Sequence, residues 1–312
     1  MIIILGDKYK FNEIELKKLN KKFKDIKFLN YDAEIKSSVI TRREIKNLLK
    51  DVYCKYLVIN SDYSIDKKMI KFLTLLQFRY RKKPLRVISI QKLLEKHLYK
   101  LYIPDDDKNL EFLMDIKPYN IFEYIIKRCI DLVCGGILYC VNFFLKFYIK
   151  KKIEKESPGN LYFIQKRVGK NLNTFKCYKF RTMHEKSYFS KYTKQDDDRI
   201  FSFGKFMRKS RIDEVPQAIN VLKGDMHLIG PRAEWNILVA EYEKEIPYYN
   251  ERHIVKPGIT GWAQVNYPYG TNTYDTKQKL MYDLYYIKHW SLWLEIKTIF
   301  KTIVIMVSKK GM

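Results

Sequence analysis

Three stretches of this 312-residue chain carry residue types and spacings suited to holding phosphate. The first runs from Arg211 to Arg232, R-I-D-E-V-P-Q-A-I-N-V-L-K-G-D-M-H-L-I-G-P-R, where adjacent carboxylates, Asp213 and Glu214, precede a helical pattern closed by Gly224. Pro216 is tolerated only in a first turn, where the N–H it lacks would have had no intrahelical partner, so Asp213 is expected at or near an N-cap. Orphan N–H groups and the positive dipole end make such a helix start a place to hold phosphate. The same pattern also describes a plain helix start, with Asp213 as cap and Glu214 as a first-turn dipole partner.

The second stretch is F-K-C-Y-K-F-R-T-M, Phe175 to Met183. Strand alternation puts Cys177, Lys179 and Arg181 on one face. Two cations there can clamp phosphate oxygens, Arg181 bidentately and Lys179 as a point charge, or they form a solvated face. The third is K-P-G-I-T-G-W-A-Q-V, in which Pro257, Gly258, Thr260, Gly261, Trp262 and Gln264 crowd one loop. Such a loop brings backbone N–H groups close to a ligand and offers Trp262 to a base, or it is a tightly packed turn. Asp283 lies among aromatics in Y-D-L-Y-Y, where a carboxylate needs a cation or a metal beside it.

These stretches need elements to position them. Up to about residue 103, short apolar runs alternate with amphipathic Lys-rich segments. Ile2–Leu5, Tyr56–Asn60 and Leu85–Ile90 read as buried strands and Asp66–Tyr80 as a helix, which implies a small parallel sheet. The loop after the first strand, G-D-K-Y-K, lacks G-x-G-x-x-G, so a dinucleotide site is not expected there. A polar connector, Pro104-Asp105-Asp106-Asp107 onward, places the domain boundary near residue 117, giving domains 1–117 and 118–312. The expected fold class is α/β. It combines a small Rossmann-like N-terminal domain with a mainly helical α+β domain.

Two segments of the second domain are candidates for a membrane. The run C-I-D-L-V-C-G-G-I-L-Y-C-V-N-F-F-L-K-F-Y-I is broken by Asp131, Asn142 and Lys146, and is flanked on both sides by Lys and Arg. Its 21 residues would reach roughly 30 Å as a helix. Basic residues at both ends fit a re-entrant segment returning to the same face better than a span. From about Ser291 to Val307 a second helical pattern shows an apolar face with Trp293 and nearby Trp290, suited either to an interface or to core packing.

The formal charge is +25, from 60 Lys plus Arg against 35 Asp plus Glu, which favours anionic partners: nucleic acid, a phospholipid surface or phosphorylated substrates. No nucleic-acid motif supports the first of these. Five cysteines with no C-x-x-C pair argue against a disulfide framework and a zinc site, and suit a reducing compartment. Cys129, Cys134 and Cys140 are expected as small buried packing residues. Met1–Leu5 is too short for a signal sequence, which leaves the N-terminus in the cytoplasm.

Several motifs, in order and spacing, resemble the bacterial sugar transferases, the monotopic polyprenyl-phosphate hexose-1-phosphate transferases. They are K-R-C-I-D-L, S-P-G-N-L-Y-F-I-Q-K-R-V-G, Y-K-F-R-T-M, R-I-D-E-V-P-Q-A-I-N-V-L-K-G-D-M, G-P-R, K-P-G-I-T-G-W-A-Q-V-N and K-L-M-Y-D-L-Y-Y-I-K. The resemblance covers about Lys127 to Thr302. It implies a phosphoglycosyl transferase that starts a surface polysaccharide or glycoconjugate on a polyprenyl (undecaprenyl) phosphate, at the cytoplasmic face of the bacterial inner membrane. In that scheme Asp213 attacks the β-phosphorus of a UDP-sugar and releases UMP, and Glu214 binds Mg²⁺ or Mn²⁺. Lys179, Arg181 and Arg232 contact phosphate, the Pro257–Gln264 loop and Asp283 contribute to substrate binding or to support, and a homodimer is compatible with the scheme.

Three positions depart from the family pattern. Asn142-Phe143-Phe144 stands where a Ser-Pro pair usually breaks the membrane helix, Ala233 follows G-P-R in place of proline, and His227 replaces a common serine. The rival reading they allow is a non-catalytic lipid-binding scaffold of a glycan assembly complex.

Overall fold

The computed structural model describes all residues except 32–34, 62–64, 80–84, 106, 107, 192, 195, 269, 271 and 309–312. Tyr80, the expected end of one helix, and Asp106-Asp107 of the expected connector lie outside the described residues. The chain forms two compact units, Met1–Tyr102 and Ile103–Met312.

In the first unit, strands β1 (Ile2–Leu5), β2 (Ile26–Leu29), β3 (Tyr56–Ile59) and β4 (Arg86–Ser89) form a parallel sheet in the order β2-β1-β3-β4. All four β1 residues are buried, as expected of a continuous apolar run covered on both faces. Helices α1 (Glu13–Lys22), α2 (Ile35–Asp51), α3 (Lys67–Arg79) and α4 (Ile90–Leu93) connect and cover the strands. The loop after β1 is stitched to Asn60, whose side chain accepts from Tyr9 N and donates to Gly6 O and Tyr9 O.

The second unit holds α5 (Leu110–Asp115), α6 (Ile121–Glu156), the hairpin β5 (Tyr162–Val168) and β6 (Thr174–Phe180), then α7 (Ser202–Ser210). A 3₁₀ turn, Ile212–Gln217, leads into α8 (Ala218–Lys223) and β7 (His227–Ile229). There follow α9 (Asn236–Glu245), a second 3₁₀ turn (Tyr249–Ile254), β8 (Gly258–Thr260) parallel to β7, α10 (Trp262–Asn266), α11 (Thr273–Lys288) and α12 (Leu292–Val307).

Helix α6 runs unbroken for 36 residues, about 54 Å. The expected turn back to the same face is not formed, and Asn142-Phe143-Phe144 lies within regular helix. The polar residues that interrupt the apolar run explain why. Asp131 and Asn142 point inward, Asp131 to His227 and Leu228 N and Asn142 to Tyr162. Lys146 lies over the rings of Phe143 and Phe147 at 4.3 and 4.9 Å. The N-terminal basic pair is also turned inward rather than toward headgroups. Lys127 Nζ donates to Ile229 O, Tyr286 Oη and Glu295 Oε1, while Arg128 donates to Val221 O and Leu222 O at the end of α8.

Buried positions Lys127, Asp131, Gly135, Asn142, Ile149 and Ile153 mark one face of α6 along nearly its whole length. Gly135 lets the helix approach α8, since a Cβ there would meet Val221 Cγ1 at 3.0 Å. The opposite face exposes Phe122, Leu132, Val133, Ile137, Phe144 and Phe147. Cys129 and Cys140 belong to this outer face, contrary to their expected burial, because the helical period turns both away from the domain.

Candidate active site

The acid pair is positioned by a reversal of the chain. Arg211 adopts a left-handed conformation, φ 60°, which ends α7 and starts the 3₁₀ turn carrying Asp213, Glu214 and Pro216. Asp213 therefore lies near a cap, as expected from the sequence, but not on it. Arg211 holds the cap position without a side-chain bond, and α8 begins only at Ala218. The turn packs on β6 and brings Glu214 to Lys179, whose Nζ donates to Glu214 Oε1 at 2.7 Å. Arg232 Nη1 reaches the same oxygen at 3.4 Å, and Arg211 Nη1 lies 3.7 Å from Oε2.

Both carboxylates are buried, but their surroundings pull them apart. Burial, reinforced by the Glu214 charge, pushes the Asp213 carboxyl up to about 6. Burial also acts on Glu214, yet Lys179, Arg232 and Arg211 outweigh it and hold that carboxyl well below the usual range. Asp213 Oδ1 is buried without a hydrogen-bond partner among the described residues. The pair thus combines a neutralised, fixed carboxylate with a more basic one whose Oδ1 is left unpaired by the described residues. That division suits one acid for support and the other for attack on a phosphorus centre.

Arg232 is held from behind. Arg252 Nη2 donates to Arg232 O at 3.0 Å and to Asp283 Oδ2 at 2.8 Å, and its Nη1 donates to Tyr249 Oη at 2.8 Å. Arg167 Nη1 donates to Ala233 O at 2.8 Å. These two guanidiniums tether the carbonyls of residues 232 and 233, where Ala233 lacks the backbone constraint of a proline. Half-buried Glu234 balances them: against desolvation, Arg232, Arg252, Arg167 and Lys279 lower its carboxyl. Burial pushes Asp283 up to about 6 against the pull of Arg252.

Asp283 is thereby placed as a partner of Arg252. Arg181 is also placed elsewhere: its guanidinium donates to Ser157 Oγ, Ser157 O, Asn160 O and Met183 O, locking the turn before β5. β6 ends at Phe180, so the face shared with Lys179 does not extend to Arg181.

Of the two readings left for the 257–264 loop, close packing is the one formed. A Cβ at Gly258 would lie 2.1 Å from Gly230 N, and one at Gly261 2.1 Å from Gly230 O, so this backbone crossing requires glycine. Pro257 O accepts from His227 N. Trp262 is buried, stacked on Tyr285 at 6.5 Å with Lys301 Nζ 4.6 Å from its ring centroid, so neighbours already occupy the ring that a base would need. Thr260 Oγ1 bonds Thr302 Oγ1, and Gln264 Nε2 donates to Ile259 O. The loop meets the site through backbone, with Gly258 bridged to Arg232.

Sequence reasoning assigned no part to Arg211, Arg252, Glu234, Arg167 or Lys279. Arg211 opens a quoted motif and Glu234 lies two residues past another, but only the fold shows that their side chains join one charge network.

Among the described residues no cluster of three or more His, Cys, Asp or Glu could hold a metal. Mg²⁺ does not need one, because it is commonly held by one or two carboxylates with substrate phosphates and water. The orphaned Asp213 Oδ1 beside Glu214 fits that mode.

Residues 122–309 match the family model described as bacterial sugar transferase. The chain is 45% identical over 193 residues to the UDP-N-acetylgalactosamine-undecaprenyl-phosphate N-acetylgalactosaminephosphotransferase of Aeromonas hydrophila, covering 61% of this chain and 45% of that protein. It is 42% identical over 163 residues to the UDP-glucose:undecaprenyl-phosphate glucose-1-phosphate transferase of Xanthomonas campestris pv. campestris, covering 51% and 34%. The uncharacterized sugar transferase EpsL of Bacillus subtilis (strain 168) is 36% identical over 183 residues, 57% of this chain and 86% of that protein. The match spans less than half the length of the first two relatives. With the family model covering more than half of the chain, the protein belongs to the bacterial sugar transferases.

Proposed function

We propose that the chain is a phosphoglycosyl transferase moving a sugar-1-phosphate from a UDP-sugar to polyprenyl (undecaprenyl) phosphate. The observation that carries this is the acid pair: Glu214 neutralised by Lys179, Arg232 and Arg211, beside a more basic Asp213 whose Oδ1 is left unpaired by the described residues. An Asp213 oxygen attacks the β-phosphorus, and the bond to the bridging oxygen breaks. Its electron pair leaves on UMP, and a sugar phosphate remains esterified to Asp213. An oxygen of polyprenyl phosphate then attacks the same phosphorus and expels the Asp213 carboxylate, giving a polyprenyl diphosphosugar.

A carboxylate approaching a diphosphate is repelled unless positive charge screens both, which Lys179, Arg211 and Arg232 do from one side. Mg²⁺, which Glu214 would hold together with the diphosphate, would supply the remaining charge neutralisation. The shared intermediate lets a soluble donor and a lipid acceptor use the site in turn.

The exposed apolar face of α6, with those of Trp293, Phe300, Ile303 and Val307 on α12, supports a membrane surface as the place of reaction. One face of α6 is buried on its own domain from Lys127 to Ile153, so the helix lies along the membrane with the domain beside it and does not cross. In this reading the surface is the cytoplasmic face of the bacterial inner membrane. Incubating the purified protein with a panel of UDP-sugars and Mg²⁺ tests the reading: at least one sugar should release UMP, and Asp213→Asn should abolish that release. Release of UMP by the Asp213→Asn variant would refute it.

A further inference from the structure

A second site lies apart from the acid pair. A cavity of about 260 Å³ opens where the start of α6 meets the segment before β8, lined by Tyr119, Tyr124, Lys170, His227, Val255 and Lys256 with Pro118, Ile121 and Ile254. None of Lys179, Asp213, Glu214 or Arg232 lines it, so it is not the reaction centre. Among the described residues the lining holds two ammonium groups, two phenols and an imidazole, and no carboxylate.

Lys256, Tyr124 and His227 are positioned by neighbours of their own, whereas Lys170 is exposed at the rim. Lys256 Nζ lies 3.5 Å from Tyr124 Oη, its donor contact. The His227 ring is fixed through Nδ1 by Asp131, which also accepts from Leu228 N at 2.7 Å, so the opposite edge of the imidazole remains for a ligand. Asp131 and His227 are both almost fully buried, which sets this contact apart from a surface ion pair. The remaining wall is apolar, and Ile121 leads out to Phe122, Ile125 and Ile126, all exposed on the outer face of α6.

A small cationic cup continuing into an exposed apolar strip matches a phosphate group on an apolar chain. We infer that this cavity binds the phosphate headgroup of a membrane lipid, with Lys170, Lys256, Tyr124 and His227 around the phosphate and the chain lying along Ile121, Phe122 and Ile125. The ligand class covers a phospholipid and polyprenyl phosphate alike. The inference rests on the membrane-surface reading of α6 and not on transfer chemistry at Asp213.

The test is calorimetric titration of the full chain in neutral detergent with short-chain phosphatidylglycerol, a short polyprenyl phosphate and inorganic phosphate. The Lys170→Ala/Lys256→Ala double variant serves as control, with UMP release measured separately. Both lysines lie outside the core, so the double variant is expected to melt as the parent does. Saturable binding of a lipid phosphate that weakens at least about tenfold in the double variant is the expected result. The lipid that shows this loss identifies the source. Polyprenyl phosphate can also occupy the reaction centre, so for it the expected loss is one of two bound molecules. Equal lipid binding by parent and double variant would overturn the inference, as would inorganic phosphate binding as tightly as the lipids. Failure of UMP release with lipid binding intact would count against the transfer reading alone.

Discussion

Replacing Lys179 by methionine removes the nearest of the cations on Glu214, at 2.7 Å, and leaves Arg232 at 3.4 Å and Arg211 at 3.7 Å. Stripping a buried carboxylate of its only partner costs about 3–5 kcal/mol. Two partners remain here and the Lys179 side chain is 17% exposed, so the stability cost should fall to about 1–2 kcal/mol. The catalytic cost should be larger, because Lys179 also offsets charge where carboxylate meets diphosphate. Losing one such preorganised group lowers rates by about 10²–10³-fold. Lys179 lowers the carboxyls of both Asp213 and Glu214, so its loss should also move the acid limb of the pH profile upward. The assay is kcat/KM for UMP release from pH 5 to 8, beside a melting curve, with Lys179→Arg as the charge-retaining control. A methionine variant within threefold of the parent rate, yet less stable, would make Lys179 purely structural and refute the reasoning.

Other consequences can be checked in the same preparation. Asp213 must be ionised to attack, and burial holds its carboxyl near about 6, so kcat/KM should fall about tenfold per unit below that pH and level off above it. A profile flat from pH 5 upward would contradict this. Gly258→Ala places a Cβ 2.1 Å from Gly230 N, a clash with backbone that should cost about 3 kcal/mol or more, whereas Gly136→Ala, with nothing within 4 Å, should be neutral or stabilise α6 by up to about 1 kcal/mol. Denaturant melts of the two variants distinguish these outcomes. Phe143, Phe144 and Phe147 all lie on the exposed face of α6. Changing all three to serine should weaken partition into vesicles by on the order of 10³-fold, measured by flotation, since each phenyl group contributes about 1.5–3 kcal/mol when fully buried.

Much of this architecture was legible because it follows local rules. The apolar run at Ile2–Leu5 became a central parallel strand, Gly224 with φ +86° ended α8, and alternation in β6 turned Lys179 toward the acid pair. What failed depended on partners distant in sequence. Asp131 and Asn142 read as interruptions of a membrane segment and Lys127 as its basic flank, yet each meets a group supplied by the domain beneath it. Pro216 read as a first-turn residue, yet it lies inside a 3₁₀ segment set by the left-handed Arg211, which local propensity does not favour. Arg181 and Trp262 looked exposed to ligand because alternation and glycine content say nothing of Ser157 or Tyr285. The network of Arg252, Asp283, Glu234 and Arg167 was invisible for the same reason.

The central claim is that Asp213 becomes covalently bonded to the sugar phosphate. The direct measurement is intact-protein mass spectrometry after brief incubation with a UDP-sugar that supports UMP release and Mg²⁺, without polyprenyl phosphate, followed by peptide mapping. The account predicts a mass increase of one sugar phosphate on the peptide holding Asp213, chased away by polyprenyl phosphate and missing from Asp213→Asn. UMP release coupled to lipid product with no adduct at any time, or an adduct on another residue, would contradict it.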